Sequence, residues 1–199
     1  MIDHVFDDLI NAMHQSFDSA MLEQLPNQEH LLLDLFLGDI HYENSYALPG
    51  EVNPSNLRVD INLEWPVWSQ SIYRSWLIGA SEPESLEVGI ELVIRAVSMA
   101  APAPTGSVLG TLDERSSPAL AFLLERSSVV TSENTLGEDF PNEFELEVGF
   151  DGSLVLEESA LTEKDELTNI MAPLGPWIAS MLVRLSDQPL HFFPNDESN

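Results

Sequence analysis

Residues 142–156, NEFELEVGFDGSLVL, place Phe144, Leu146, Val148 and Phe150 at every second position and fill the gaps with Glu143, Glu145 and Glu147. Apolar residues at period two mark a strand with one face buried and the other wet. Asp151-Gly152 then separates this run from a second β-patterned run at 153–156, and Asp-Gly is a preferred centre for a two-residue type I′ turn. The stretch therefore predicts a β-hairpin turning at Asp151-Gly152, with a glutamate-lined outer face.

Other runs upstream repeat the pattern. LRVDINLE at 57–64 sets Leu57, Val59, Ile61 and Leu63 against Arg58, Asp60, Asn62 and Glu64. SLEVGIELVIRAVSMA at 85–100 turns Leu86, Val88, Ile90, Leu92, Ile94 and Ala96 one way; its other face begins with Glu87 and Glu91 and becomes apolar at Val93 and Val97. HLLLDLFLGDIHYE, from His30, is short and apolar and predicts a buried strand. Residues 107–131 lean to strand through Leu120, Phe122 and Leu124, although Ser117-Pro118 also fits a helix start.

The remaining segments follow a helical period. Residues 3–24 predict an amphipathic helix through Val5, Phe6, Leu9, Ile10, Met13, Phe17 and Met21, capped by Asp3 and stopped by Pro26. Pro66 opens a short helix ended by Gly79, with Trp68, Ile72 and Trp76 along one side and both tryptophans expected in the core. Thr162, with Asp165 three positions on, predicts a cap for a helix starting near Glu163. Pro173 and Pro176 break that helix, and a closing one turns Ile178, Met181, Leu182 and Leu185 inward. The tail at 188–199 is expected to dock Phe192 and Phe193 before fraying.

Antiparallel runs flanked by helices, without a strand-then-helix rhythm, predict an α+β fold: a mainly antiparallel twisted sheet with helices packed on one face. The 199 residues fit one domain, with APAPTG at 101–106 as an internal linker or a turn. This element order, with the acidity described next, resembles the acidic chaperones of type III secretion, and the resemblance implies a partner-binding role by fold analogy.

Charge sets the chain apart: 34 acidic residues against 7 basic ones give a net charge of −27. Phosphate backbones and anionic membrane surfaces recognise clustered Lys and Arg, so direct binding to nucleic acid or membrane is not expected. The lack of cysteine excludes thiolate catalysis and cysteine-held metals. The N-terminus has no basic n-region and carries Asp3, Asp7 and Asp8, unlike a signal or transit peptide, and no apolar run approaches the roughly 20 residues of a membrane span. Cytoplasm is the expected compartment.

Catalytic patterns are sparse. There is no G-x-S-x-G, G-x-x-x-x-G-K or G-x-G-x-x-G, and nothing calls for a cofactor. Asp39, His41 and Glu43 share one face if extended and are weak candidates for a metal, or for a small carboxylate- or metal-dependent hydrolase. The stronger signal is the concentration of acids: between Glu133 and Glu166 there are twelve, with Lys164 the only base. The reading is a non-enzymatic acidic protein-binding module, an adaptor, chaperone-like factor or inhibitor. Its expected docking residues are Glu143, Glu145, Glu147, Asp151, Glu157 and Glu158. The partner is a basic protein, and a nucleic-acid mimic with carboxylates in place of phosphates is a sub-case. The competing account is a surface acidic only for solubility or high salt, and an exposed edge strand allows a homodimer.

Overall fold

Strict alternation in the sequence becomes alternating burial in the structure. Leu57, Val59, Ile61, Leu63 and Trp65 are buried along one strand, and Leu86, Val88, Ile90, Leu92, Ile94 and Ala96 along the next. The computed structural model describes residues 4–34, 37–50, 56–80, 85–135 and 141–193. In chain order its first half contains α1 (His4–Ser19), β1 (Glu23–Gln24), β2 (His30–Leu33), β3 (Ile40–Ala47), β4 (Leu57–Trp65), α2 (Val67–Leu77) and β5 (Leu86–Met99). The second half contains α3 (Thr105–Thr111), β6 (Leu124–Asn134), β7 (Glu143–Leu156), α4 (Glu158–Thr162), α5 (Lys164–Met171) and α6 (Leu174–Ser186).

The fold is α+β. One seven-stranded sheet runs β1-β3-β4-β5-β7-β6, with every pairing antiparallel, and β2 shares with β1 the free edge of β3. One cluster of buried side chains extends from Val5 to Leu185. In it α1 presents Phe6, Leu9, Met13 and Phe17 toward the sheet, each worth about 1.5–3 kcal/mol of burial. α1 also packs on α5 and α6, and α6 sets Trp177 edge-on to Phe150 of β7. Trp177 Nε1 donates to Asp113, which also takes two hydrogen bonds from the Arg184 guanidinium. Arg184 holds the Asp113 carboxyl below its ordinary pKa; partial burial opposes this and the indole N–H assists it.

The hairpin expected at Asp151-Gly152 does not form: β7 runs through both residues without a turn. Its hairpin partner is β6, joined to it between Asn134 and Glu143. Gly152 serves close approach instead, because a Cβ there would overlap the Leu123 carbonyl oxygen where the chain enters β6. Glu138 and Asp139 lie outside the described residues.

Other boundaries move for local reasons. α1 ends at Ser19 because Met21 takes φ 60° and the Leu22 and Met21 amides bond back to the Phe17 and Asp18 carbonyls, closing the helix well before Pro26. The expected Asp3 cap is outside the described residues. The segment from His30 makes two strands, an exposed β2 and a largely buried β3. Residues 107–131 contain the end of α3 and a bend, and only from Leu124 do they enter β6. α2 buries Ser69, Gln70 and Tyr73, so Trp68 is 48% exposed and Trp76 only partly covered, contrary to the expectation for both tryptophans. Thr162 closes α4 by bonding the Glu158 and Ser159 carbonyls, and α5 starts without a side-chain cap. In the tail Phe192 bridges to Met99 and the Phe193 amide bonds Ser98; residues 194–199 lie outside the described residues.

The inner face of β3 carries polar groups into the core. Tyr42, Asn44 and Tyr46 are buried there, and Asn44 Nδ2 donates to both phenol oxygens. His14 of α1 stands between the phenols, with Nε2 2.8 Å from Tyr42 Oη and Nδ1 2.6 Å from Tyr46 Oη, while Tyr42 donates to Glu29. Burial raises both phenol pKa values well above the ordinary tyrosine range, and nearby Glu29 adds to this at both, so the network holds neutral hydroxyls.

Candidate partner-binding face

Helices cover one side of the sheet, and the alternate residues of β3, β4, β5 and β7 point away from them. Antiparallel register stacks these residues in rows across the strands. One row reads His30, Glu43, Asn62, Glu91, Asp151 and Glu125 from β2 to β6. Adjacent strands lie about 4.8 Å apart, so Glu91 and Asp151 face each other directly. Like charges so placed repel, by about 0.8 kcal/mol at 5 Å in water.

The next rows are neutralised. Arg95 of β5 contacts Glu147 directly and Glu145 at 3.4 Å. Its Nε lies 2.6 Å from Asp60 Oδ2, an ionic contact off the N–H axis. Arg58 reaches the same carboxylate at 3.2 Å. Two of the expected docking residues, Glu145 and Glu147, are therefore held by the chain's own arginine. Glu143 is half-buried at the start of β7, opposite Asn134. Glu157 and Glu158 are exposed beyond the end of β7, where the chain leaves the sheet for α4, and do not join the row.

Asp151 does join it. Glu43, Glu64, Glu91 and Asp151 form no side-chain ion pair or hydrogen bond among the described residues. They line two adjoining depressions of about 270 and 300 Å³ that share Asn62 and Glu91. Gly89 opens the second by carrying no side chain between Glu64 and Ser153. Asn62 Oδ1 is buried with no hydrogen-bond partner. Together these groups give the trough an excess of acceptors and negative charge, with Arg95, His30 and Gln28 also lining the first depression.

Asp39 takes another role: its Oδ1 accepts the Val67 amide at 2.7 Å, at the start of α2. His41 stands opposite Glu64 and Leu32, and Glu43 belongs to the trough. Among the described residues no three His, Asp or Glu are grouped to hold a metal ion. No helix among them is long and apolar enough to cross a membrane.

Strand alternation put Glu145 and Glu147 on the outer face, but the sequence reading set Asp151 in a turn and missed both Glu91 opposite it and Arg95 beside the glutamates. Both depend on register between strands. The Glu91–Asp151 opposition costs stability, so Asp151→Asn should stabilise the fold by up to about 1 kcal/mol at low salt and raise its thermal midpoint accordingly. That gain should vanish in molar KCl, and a wild-type melt indifferent to salt would count against high-salt adaptation of the surface. No known family model, no curated protein and no solved structure matches the chain.

Proposed function

We propose that the protein is a non-enzymatic binding module whose open sheet face docks a basic protein segment, with lysine or arginine side chains entering the trough between Glu43, Glu64, Glu91 and Asp151. The observation that carries this reading is the unneutralised opposition of Glu91 and Asp151 beside the unpartnered Asn62 Oδ1. Ammonium and guanidinium groups donate hydrogen bonds and accept none, and so match the carboxylates of Glu43, Glu64, Glu91 and Asp151; Arg95, at the far side of the first depression, is already occupied by Asp60, Glu145 and Glu147. Binding relieves the repulsion already present in the free protein. It steers association through a field that physiological salt screens over about 8 Å.

A fluorescent lysine- and arginine-rich peptide tests the trough directly. Glu91→Lys with Asp151→Lys should weaken its binding at least tenfold, equivalent to about 1.4 kcal/mol, and leave the melt nearly unchanged. Gly89→Leu should weaken it by filling the trough at constant net charge; its Cβ would meet Glu64 Cβ at 3.4 Å, an ordinary contact. Glu157→Lys with Glu158→Lys makes the same charge change off the row and should matter much less. Equal losses from both charge pairs, with none from Gly89→Leu, would reduce the effect to net charge and sink the site.

A further inference from the structure

The polar network beneath α1 has a direction. Its fixed point is Asn44, whose Oδ1 accepts the Ser45 amide at 2.8 Å. A backbone N–H can only donate, so the side-chain amide is oriented and Nδ2 faces the phenols, donating to Tyr42 at 2.8 Å and to Tyr46 at 3.3 Å. Each phenol then has one proton of its own to place. Tyr42 Oη lies 3.0 Å from Glu29 Oε1, and a carboxylate only accepts, so the Tyr42 proton goes there. His14 Nε2, 2.8 Å from the same phenol oxygen, is therefore the donor between them. A neutral imidazole with its proton on Nε2 accepts at Nδ1, where the Tyr46 hydroxyl donates at 2.6 Å.

Other arrangements strand a group. With the imidazole proton on Nδ1, the Tyr42 proton turns to Nε2, the Glu29 carboxylate is left against a bare phenol oxygen, and the Tyr46 proton has no acceptor among the described residues. A doubly protonated ring donates from both nitrogens and strands the same Tyr46 proton, although Glu29 at 3.7 Å and Asp18 on α1 are the charges beside it. Tyr46 is 1% exposed, which shuts out bulk water as the missing acceptor. We propose that His14 is held as the Nε2–H tautomer in a one-way relay, Tyr46 to His14 to Tyr42 to Glu29, which latches α1 onto β3 from a carboxylate outside both elements. Glu29 sits between β1 and β2, half-exposed, and Gln24 donates to its other oxygen. Hydrogen bonds in such a chain polarise one another, so a change at Glu29 is felt at the seat of α1. The relay lies on the helix-covered side of the sheet, and the inference is independent of the basic-segment reading.

Nitrogen-15 NMR of the full chain tests the relay, with His14→Gln to assign the ring among the five histidines. At about pH 8, where an ordinary imidazole is neutral, the ring proton is expected on Nε2 and slow to exchange with water. Tyr42→Phe removes its acceptor and should speed that exchange about tenfold, the factor that one lost hydrogen bond supplies. Tyr46→Phe removes only a donor to the ring and should leave the proton in place. Glu29→Leu should speed amide hydrogen exchange in α1, whereas Glu29→Gln keeps an acceptor and should not. A ring proton on Nδ1, a doubly protonated ring at that pH, or exchange speeded by Tyr46→Phe and spared by Tyr42→Phe would overturn the proposal. Equal α1 exchange in the two Glu29 variants would overturn the latch. If a tyrosine variant fails to fold, the wild-type spectrum still decides the direction.

Discussion

Raising the pH from 10 to 12 should remove most of this protein's stability. Tyr42 and Tyr46 are almost wholly buried, and burial keeps both phenols protonated far above the value near 10 at which they ionise in an unfolded chain. Below pH 10 the native and unfolded states both hold these protons, and the tyrosines contribute their full stability. Above it the unfolded chain releases them and the native state does not, so stability falls as pH rises. Each tyrosine adds a slope of about 1.4 kcal/mol per pH unit. The pair therefore withdraws on the order of 5 kcal/mol by pH 12, comparable with the whole stability of many domains. Denaturant midpoints measured across this range check the slope. Tyr42→Phe should roughly halve it while costing about 1–3 kcal/mol at neutral pH, because His14 and Asn44 lose a partner. A midpoint that stays flat to pH 12 would show that the phenols ionise freely in the fold.

The second large effect is expected at Gly175. In a helix, glycine to alanine ordinarily gains up to about 1 kcal/mol. At Gly175, however, the new Cβ would overlap the Ser16 carbonyl oxygen and lie 2.6 Å from Ser16 C and 3.0 Å from Phe17 N, all backbone atoms of α1. Ser16 cannot yield easily, since its hydroxyl donates to the Ala172 carbonyl and accepts the Gly175 amide, tying the two helices at that crossing. Overpacking of this kind costs about 1–3 kcal/mol or more and should outweigh the propensity gain. The expected result for Gly175→Ala is a thermal midpoint several degrees lower. Gly110→Ala in α3, with nothing within 4 Å of its Cβ, should move the midpoint slightly upward. If both variants gained stability, the close α1–α6 crossing would be wrong.

The contrast between these glycines shows what the sequence could reveal. β4 and β5 were legible because one buried face imposes period two over the whole strand, and α6 because Ile178, Met181, Leu182 and Leu185 repeat at helical spacing. Asp151-Gly152 was misleading because turn preference is local, whereas the strand there is fixed by the backbone at Leu123, far back along the chain. The outer sheet face was half legible for the same reason. Alternation placed Glu145 and Glu147 outward, but the strand position of Asp151, its neighbour Glu91 and the arginine that occupies the two glutamates follow only from register. Trp68 was misplaced because α2 turns Tyr73, Ser69 and Gln70 to the core, where hydrogen bonds from Gln70 to Gly38 and Trp65 make a polar residue welcome.

The position of β7 also constrains how the chain can assemble. β7 is the last strand made, yet it lies between β5 and β6, with fourteen residues in β5 and fourteen in β7. The β6–β7 hairpin is the shorter loop closure and can form first, leaving the other edge of β7 to zip along β5 afterwards. Until that step Ile94 of β5 and Phe150 of β7 lie on separate pieces of sheet, and the core they share is incomplete. Refolding should therefore be limited by a late, long-range strand pairing, and a nascent chain halted before β7 would carry the unpaired edge of β5 into the cell.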